Sequence, residues 1–253
     1  MTPIRLVLSV SLLTVLVAVS ASAGSTSHAL EIARDGSVLF VDLDRNRLLR
    51  LHEGELSVAS DLDGVPAGDH LQNLVLTIDD DIYIGIKKTV WKISSDGSVE
   101  SATPPKNLKF LFVGKPGDLG RDGSVYYSRD SRNIQRSLPG GDALAVLATD
   151  NISRIHSMAV TPYGRTFFSN GAEVAKLEAD GSVKILLELE GDAVLGLAAL
   201  GENRFVLLRR AKGGAVNLER VDAFGNVEVL LTSDQIASAS SSEPVVIAHP
   251  END

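Results

Sequence analysis

Three histidines could do chemistry together, namely His28, His70 and His156. Imidazole nitrogens ligate zinc or copper, and imidazole titrates near neutral pH, so a cluster of histidines can form a metal site or supply a general acid and base. The simpler interpretation is that these positions are polar and merely solvated. Which interpretation holds depends on the elements that position the three side chains.

Two polar segments offer a second kind of chemistry, the recognition of a ligand by charged and amide side chains. They contain Asp42, Arg45, Asn46 and Arg47 in the first segment and Arg129, Asp130, Arg132 and Asn133 in the second. Such side chains are suited to hydrogen bonding with a protein, peptide or glycan. Alternating charges are also what any solvated loop shows, so these eight residues are a predicted ligand-binding surface and no more.

Other chemistries lack support in the sequence. It contains no cysteine, which excludes disulfides, thiolate nucleophiles and thiolate metal sites. It has neither a Gly-x-Ser-x-Gly nucleophile motif nor a glycine-rich phosphate loop. The acidic run at Asp79, Asp80 and Asp81 lacks the spacing of an EF-hand loop, so we predict a solvated turn there. A net charge of −9 argues against a nucleic-acid partner.

The elements that position these residues are set by an internal repeat. An inner apolar run, a glycine turn and a second apolar run recur from residues 28, 72, 115, 156 and 195, at offsets of 44, 43, 41 and 39 residues. Repeats of this length are typical of the four-stranded blades of a β-propeller. His28 and His156 occupy equivalent repeat positions and His70 lies two residues before Gln72. In a propeller, all three would therefore approach the mouth of the central channel.

Glycine turns divide each repeat into four strands. Asp35-Gly36 and Asp122-Gly123 fall in the first hairpin of a repeat, whereas Asp96-Gly97 and Asp180-Gly181 fall in the last. The strand after the first turn, as in Phe205–Leu208, is apolar on both faces, as expected where blades cover it on both sides. We predict an all-β propeller with five recognisable repeats, because a β-sandwich gives no reason for this order to recur at one period.

The end of the chain leaves the number of blades open. Val245–Ala248 resembles another inner strand and follows the polar stretch Ser238–Ser242. It either pairs as a closing strand in a five-bladed ring or begins an incomplete sixth blade. An open ring would expose strand edges and buried blade faces.

The first 23 residues are predicted to be a signal peptide. Arg5 supplies a positive charge, Leu6–Val19 is a largely apolar run of 14 residues, and Ala21-Ser22-Ala23 is a small-residue cleavage site. A membrane-spanning helix needs about 20 apolar residues, so this run is too short for a stable anchor. We expect cleavage after Ala23, a propeller domain over residues 24–253, and a secreted or periplasmic location.

The repeat resembles two known propeller families. Asp35–Asp42 followed by Arg45–Arg50 is similar to an NHL repeat and to a blade of the gluconolactonase and senescence-marker-protein family. Met158–Thr166 is similar to an inner-strand signature of the second family. The likeness covers most of Ala29 to Thr232.

The second resemblance implies a divalent metal at one end of the ring, held by a Glu, two Asn and an Asp. Those places fall on Ser27 or His28, on Gln72 or Asn73, on His156 and on Leu195. One serine, one amide, one imidazole and one leucine do not form the oxygen-rich site that a hard cation needs. The resemblance thus supports the fold and argues against the family's lactonase chemistry.

The sequence favours an exported, non-enzymatic β-propeller without a cofactor, which binds a protein, peptide or glycan on one loop face. The alternative is a divergent metal-dependent lactonase, hydrolase or lyase, with a divalent metal held near His28, His70 and His156 at the channel mouth. In either case we expect no nucleic-acid partner and no stable membrane anchor once the signal peptide is cleaved.

Overall fold

The computed structural model describes residues 29–42, 44–66, 71–86, 89–112, 116–128, 133–139, 144–148, 154–171, 173–239 and 245–246. In this part of the chain the strands form five antiparallel sheets, accompanied by a 3₁₀ helix at Lys106–Phe112 and a six-residue helix α1 at Ser233–Ser238. The predicted signal peptide lies outside the described residues.

Each sheet is one blade, and its first four strands are neighbours in chain order. Blade 1 consists of β1 (Leu30–Ile32), β2 (Val38–Asp42), β3 (Arg47–His52) and β4 (Glu55–Asp61). Blade 2 consists of β5 (Leu71–Leu76), β6 (Ile82–Ile86), β7 (Thr89–Ile93) and β8 (Val99–Ala102). Blade 3 consists of β9 (Gly117–Leu119), β10 (Val125–Ser128), β11 (Ile134–Ser137) and β12 (Leu144–Ala148). Blade 4 consists of β13 (Ser157–Val160), β14 (Thr166–Ser169), β15 (Glu173–Leu177) and β16 (Val183–Glu188). Blade 5 consists of β17 (Ala193–Ala199), β18 (Phe205–Arg210), β19 (Val216–Val221) and β20 (Val227–Leu231).

The blades close into a ring through their first strands. β1, β5, β9, β13 and β17 contact one another in that order, and β17 contacts β1 again. At this last junction, called the seam below, the backbone N–H of Ala29 donates to the carbonyl of Leu195 at 3.2 Å. Gly196 permits the close approach, because a Cβ there would lie 2.6 Å from the Cβ of Leu30. The structure is a five-bladed β-propeller, so the predicted fold class is confirmed.

The second strand of each blade carries much of the core. Every residue of β2, β10 and β14 is buried. Neighbouring blades meet through these strands, as where the rings of Phe167 and Phe205 lie 5.9 Å apart between blades 4 and 5. Burial on both faces explains why these strands are unbroken apolar runs in the sequence.

The Asp-Gly turns fold as the sequence indicates, in two phases of the repeat. Asp35 and Asp122 lie between the first and second strands of their blades, and each accepts a hydrogen bond at 2.9 Å from the backbone N–H of the serine two residues later. Asp96 and Asp180 do the same between the third and fourth strands. The hydrogen bonds from Ser37 lower the pKa of Asp35 to about 2. These turns are therefore held by their own side chains.

Of the two alternatives for the end of the chain, the five-bladed ring is confirmed and the incomplete sixth blade is wrong. Val245–Val246 forms a short strand, β21, that pairs antiparallel with β4 as the fifth strand of blade 1. It lies at the outer edge of that blade and is not an inner strand, because β1 and β17 already occupy the seam. Residues 245–246 thus belong to the blade in which the ring begins.

A buried ion pair joins blade 1 to α1 across the seam. The guanidinium of Arg47, at the start of β3, donates to the carboxylate of Asp42 at 2.8 Å. The same guanidinium donates to the carbonyls of Ala239 and, at 3.4 Å, Ile236. The side chains of Arg47 and Asp42 are only 13% and 5% exposed, so the pair is largely removed from water. Arg47 therefore acts as a latch that holds the segment after blade 5 against blade 1.

We predict that Arg47→Met lowers the free energy of unfolding in urea by about 3 kcal/mol, because it removes the nearer of the two cations beside the buried Asp42 carboxylate and the donor to the carbonyls of Ile236 and Ala239. Arg220→Met is the matched control, since it breaks an exposed pair with Glu228 on blade 5. The control is expected to change the free energy by less than about 1 kcal/mol. Equal effects of the two substitutions would show that the latch contributes nothing beyond a surface ion pair.

Two buried carboxylates bridge neighbouring first strands. Asp118 in β9 accepts a hydrogen bond from the backbone N–H of Val160 in β13 at 2.6 Å. Glu31 in β1 accepts one from the backbone of Leu76 in β5. The two acids occupy equivalent positions in their blades. Each lies in the first strand and pairs with the second residue of the second strand. Each thus ties its blade to the following one. In the sequence, the only sign of this role is an acidic residue within an apolar run.

Burial raises the pKa of Glu31 from its ordinary 4.5 to about 8. Below the ordinary value the carboxyl group is protonated in both the folded and the unfolded chain. Between the two values the folded chain keeps a proton that the unfolded chain has lost, so this group makes stability fall as pH rises, by about 1.4 kcal/mol per pH unit.

We predict that Glu31→Gln, which is neutral at every pH, removes this contribution. The substituted chain should gain stability relative to wild type as pH increases from about 5 to about 8, measured by urea unfolding at each pH. Glu188→Gln, on the exposed edge of blade 4, serves as the control and should run parallel to wild type. A constant difference between Glu31→Gln and wild type over this range would mean that Glu31 ionises normally in the fold.

Candidate functional site

The structure describes five of the eight residues of the predicted ligand-binding surface. Asp42 ends β2, Arg47 begins β3, and Arg45 and Asn46 lie in the loop between them. Asn133 lies directly before β11 and is half-buried. Arg129, Asp130 and Arg132 lie outside the described residues. The two predicted loops both connect the second and third strands of a blade, so they share one face of the ring, called the loop face below.

Most of the side chains in the first loop are engaged inside the fold. The carboxylate of Asp42 accepts hydrogen bonds from the backbone N–H groups of Asp44 and Arg45, both at 3.2 Å. Asn46, which has a positive φ of 54°, donates to the carbonyls of Leu62 and Val65 at 2.9 and 3.1 Å. These bonds fix the turn and the connection to blade 2. Of the predicted surface residues in this loop, Arg45 alone has a side chain open to solvent, with 47% exposure.

A cleft of about 250 Å³ opens on the loop face at the seam, beside Arg45. Its lining combines apolar side chains with charged ones. The apolar members are Phe40, Val41, Leu195, Leu208, Val216, Ile236 and Ala237. The charged members are Asp42, Asp44, Arg45, Arg210 and Asp234, and Ser233 is the remaining polar member.

Helix α1 forms one wall of this cleft and is positioned at both ends. At its start, the Thr232 side chain accepts from the backbone N–H of Gln235, and the Gln235 side chain accepts from the Thr232 backbone N–H, which is a capping box. Ile236 and Ala239 are buried against the core that blades 1 and 5 share. The Arg47 latch holds the last carbonyls. The α1 wall of the cleft is therefore held in place by contacts within the protein.

Sequence reasoning found Asp42 and Arg45 but missed the rest of this cleft. Arg210 ends β18, a strand recognised only as apolar, and α1 was not predicted at all. A signal for the helix does exist, since Thr232 followed three residues later by Gln235 is a capping-box pattern. What the sequence does not contain is the information that α1 and the β2–β3 loop meet across the seam.

The three-histidine hypothesis is not tested, because His28 and His70 lie outside the described residues. His156 directly precedes β13, and its half-buried ring lies against Gly171, where a Cβ would be 2.9 Å from Cε1. Burial, assisted by the charge of Arg154, lowers the pKa of His156. Within the described part of the chain, no three His, Cys, Asp or Glu side chains are grouped to hold a metal ion.

Two other positions carried over from the gluconolactonase resemblance are visible in the structure. Asn73 is fully buried, and its side-chain amide donates to the carbonyl of Leu111. Leu195 contributes its carbonyl to the seam and its side chain to the cleft lining. Leu195 has no side-chain oxygen, so these two positions do not supply the full set of oxygen ligands that the family's metal site needs.

Among the described helices, none is long and apolar enough to pass through a lipid bilayer.

No protein-family model and no curated protein matches the sequence. Solved structures with a similar course of the chain include a streptogramin B lyase, at 14% identity and a TM-score of 0.41 over 81% of this chain and 68% of that one. They also include a chain in a nidogen/laminin complex, at 14% identity and a TM-score of 0.49 over 79% of this chain and 78% of that one. A third is a gluconolactonase from Xanthomonas campestris, at 12% identity and a TM-score of 0.46 over 71% of this chain and 82% of that one. One of the two families that the sequence resembles is thus among these structures, and no activity is transferred from likenesses at this level.

Proposed function

We propose that this chain is an exported, non-enzymatic binding module that holds a protein or peptide ligand on its loop face, at the seam between blades 5 and 1. The observation that carries the proposal is the seam cleft, whose lining combines apolar side chains with charged ones. Clefts that combine apolar and charged side chains bind ligands by burying an apolar group of the ligand and orienting it with a few polar contacts.

The size of the cleft favours an anchoring side chain over a whole small molecule. At about 250 Å³ it is smaller than the roughly 300 to 1,000 Å³ of pockets that enclose drug-sized ligands. One large apolar side chain fits this space, and interfaces between proteins are commonly dominated by a few such anchors. The rest of the ligand would then lie on the loop face outside.

The lining favours a protein or peptide over a glycan. Sugar rings are commonly held by stacking on exposed aromatic side chains. Phe40 is the one aromatic residue of the cleft lining, and it is completely buried. Leu195 and Val216, which are only partly buried, instead complement an aliphatic or aromatic anchor.

We expect peptides selected from a random displayed library on the wild-type propeller to bind through the cleft. Ala237→Trp places a large ring in the α1 wall and should weaken the selected peptides at least tenfold in a titration. Ala179→Trp, in the exposed turn between β15 and β16, makes the same change away from the cleft and should leave the affinity unchanged. Thermal melting of both variants verifies that they are folded.

The proposal fails in either of two ways. One is a selection that yields no peptide of measurable affinity, and the other is a set of peptides that bind Ala237→Trp as tightly as wild type.

Export is proposed from the first 23 residues and is tested separately. The full chain produced in a bacterial host is expected outside the cytoplasm with Gly24 as its first residue, determined by mass spectrometry of the intact protein. Replacing Leu12 and Leu13 by Arg interrupts the apolar run and should leave an uncleaved protein in the cytoplasm. Recovery of the unaltered chain with residues 1–23 still attached would contradict this assignment.

A further inference from the structure

Two adjacent arginines at the end of β18 have opposite surroundings. Arg209 is held by two carboxylates, since its guanidinium lies 2.7 Å from Asp192 and 3.2 Å from Glu219. Successive side chains of a strand point to opposite faces of the sheet. Arg210 therefore points away from these acids, and it lines the seam cleft between blade 5 and blade 1.

Arg210 is half-buried, and within the described part of the chain it has no salt bridge and no side-chain hydrogen bond. A guanidinium carries five N–H donors and remains charged at any physiological pH. Partial burial removes some of its hydration without supplying a counter-charge. An anionic ligand in the cleft would supply that charge.

The other charged residues of the cleft lining restrict which class of anion could bind there. Asp42 is already neutralised by Arg47 at 2.8 Å, and Arg45 lies 3.8 Å from the same carboxylate. Asp44 and Asp234 are exposed and hence well solvated, so they need no partner, but they place negative charge at the cleft mouth. This arrangement disfavours phosphates and ligands with several carboxylates.

From this arrangement we infer that the seam cleft binds a single carboxylate joined to an apolar group, with the carboxylate on Arg210 and the apolar group against the partly buried Leu195 and Val216. Arginine and carboxylate form two parallel charge-assisted hydrogen bonds, which fixes the direction of the ligand as well as its charge. The inference rests on the proposed function and names its ligand chemistry. An apolar residue at the carboxyl terminus of a peptide has this chemistry, and so does a free apolar acid.

The test compares ligands that differ only in the carboxylate. N-acetyl-leucine and N-acetyl-leucinamide are titrated calorimetrically into the propeller at low salt, together with an uncharged hexapeptide ending in leucine as its free acid and as its amide. Each acid is expected to bind at least tenfold more tightly than its amide, and added salt should reduce the difference. A hexapeptide acid that binds more tightly than N-acetyl-leucine identifies a peptide terminus as the source, whereas equal affinities identify a free acid.

Arg210→Gln tests the assigned partner. It should weaken both acids at least tenfold and leave the amides unchanged. Arg204→Gln removes the same charge from the exposed turn between β17 and β18, at the other end of blade 5, and should not alter any affinity. The acid-to-amide comparison on the wild-type protein needs no variant, so it decides the question even where Arg210→Gln is unstable.

The inference is overturned if neither acid binds at millimolar concentration, if acid and amide bind equally, or if Arg210→Gln binds the acids like wild type. Its failure is distinguishable from failure of the proposed function. If library peptides bind Ala237→Trp more weakly while acid and amide forms bind wild type equally, the proposed binding module stands and the assignment of a carboxylate ligand is wrong.

Discussion

A propeller blade is apolar on both faces of its sheet, and a single blade or an open row of blades cannot cover both faces. The fully buried β2, β10 and β14 show how completely this requirement is met here. Only a closed ring gives every blade two neighbours. The stability of each blade consequently depends on the seam, where the first blade of the chain must meet the last.

The chain closes this seam with three different kinds of interaction. Backbone contact between β1 and β17 joins the centre of the ring, and the hydrogen bond from Ala29 to Leu195 lies there. The Arg47 latch joins α1 to blade 1 farther out, and β21 extends the sheet of blade 1 beyond β4. A short helix covers less of the seam than a blade face would. The cleft is the space that this closure leaves open, so the candidate site and the closure of the ring have one origin.

The repeating parts of this structure could be predicted from the sequence, because they depend on local rules. Asp35-Gly36 and its counterparts make their turns through their own side chains, and an apolar run such as Phe205–Leu208 shows burial on both faces without reference to other residues. The non-repeating parts could not be predicted, because they depend on contacts between distant segments. Arg45 and Arg47 have the same charge and lie two residues apart, yet one is open to solvent and the other holds carbonyls almost two hundred residues later. Arg209 and Arg210 pose the same problem, since only the positions of Asp192 and Glu219 decide which of them is neutralised.

The internal hydrogen bonds of the loop face bear directly on the proposed binding. A loop that must be ordered by its ligand loses conformational entropy on association, roughly 0.5 to 1.5 kcal/mol for each side chain that becomes fixed. Asp42, Asn46 and Arg47 have already formed their bonds within the fold, and the capping box of α1 is likewise complete. The residues that looked most like a binding surface in the sequence thus act mainly as supports. They hold the walls of a cleft in place, and in the proposed complex the ligand contacts fall to neighbours such as Arg210, which has no side-chain hydrogen bond within the described part of the chain.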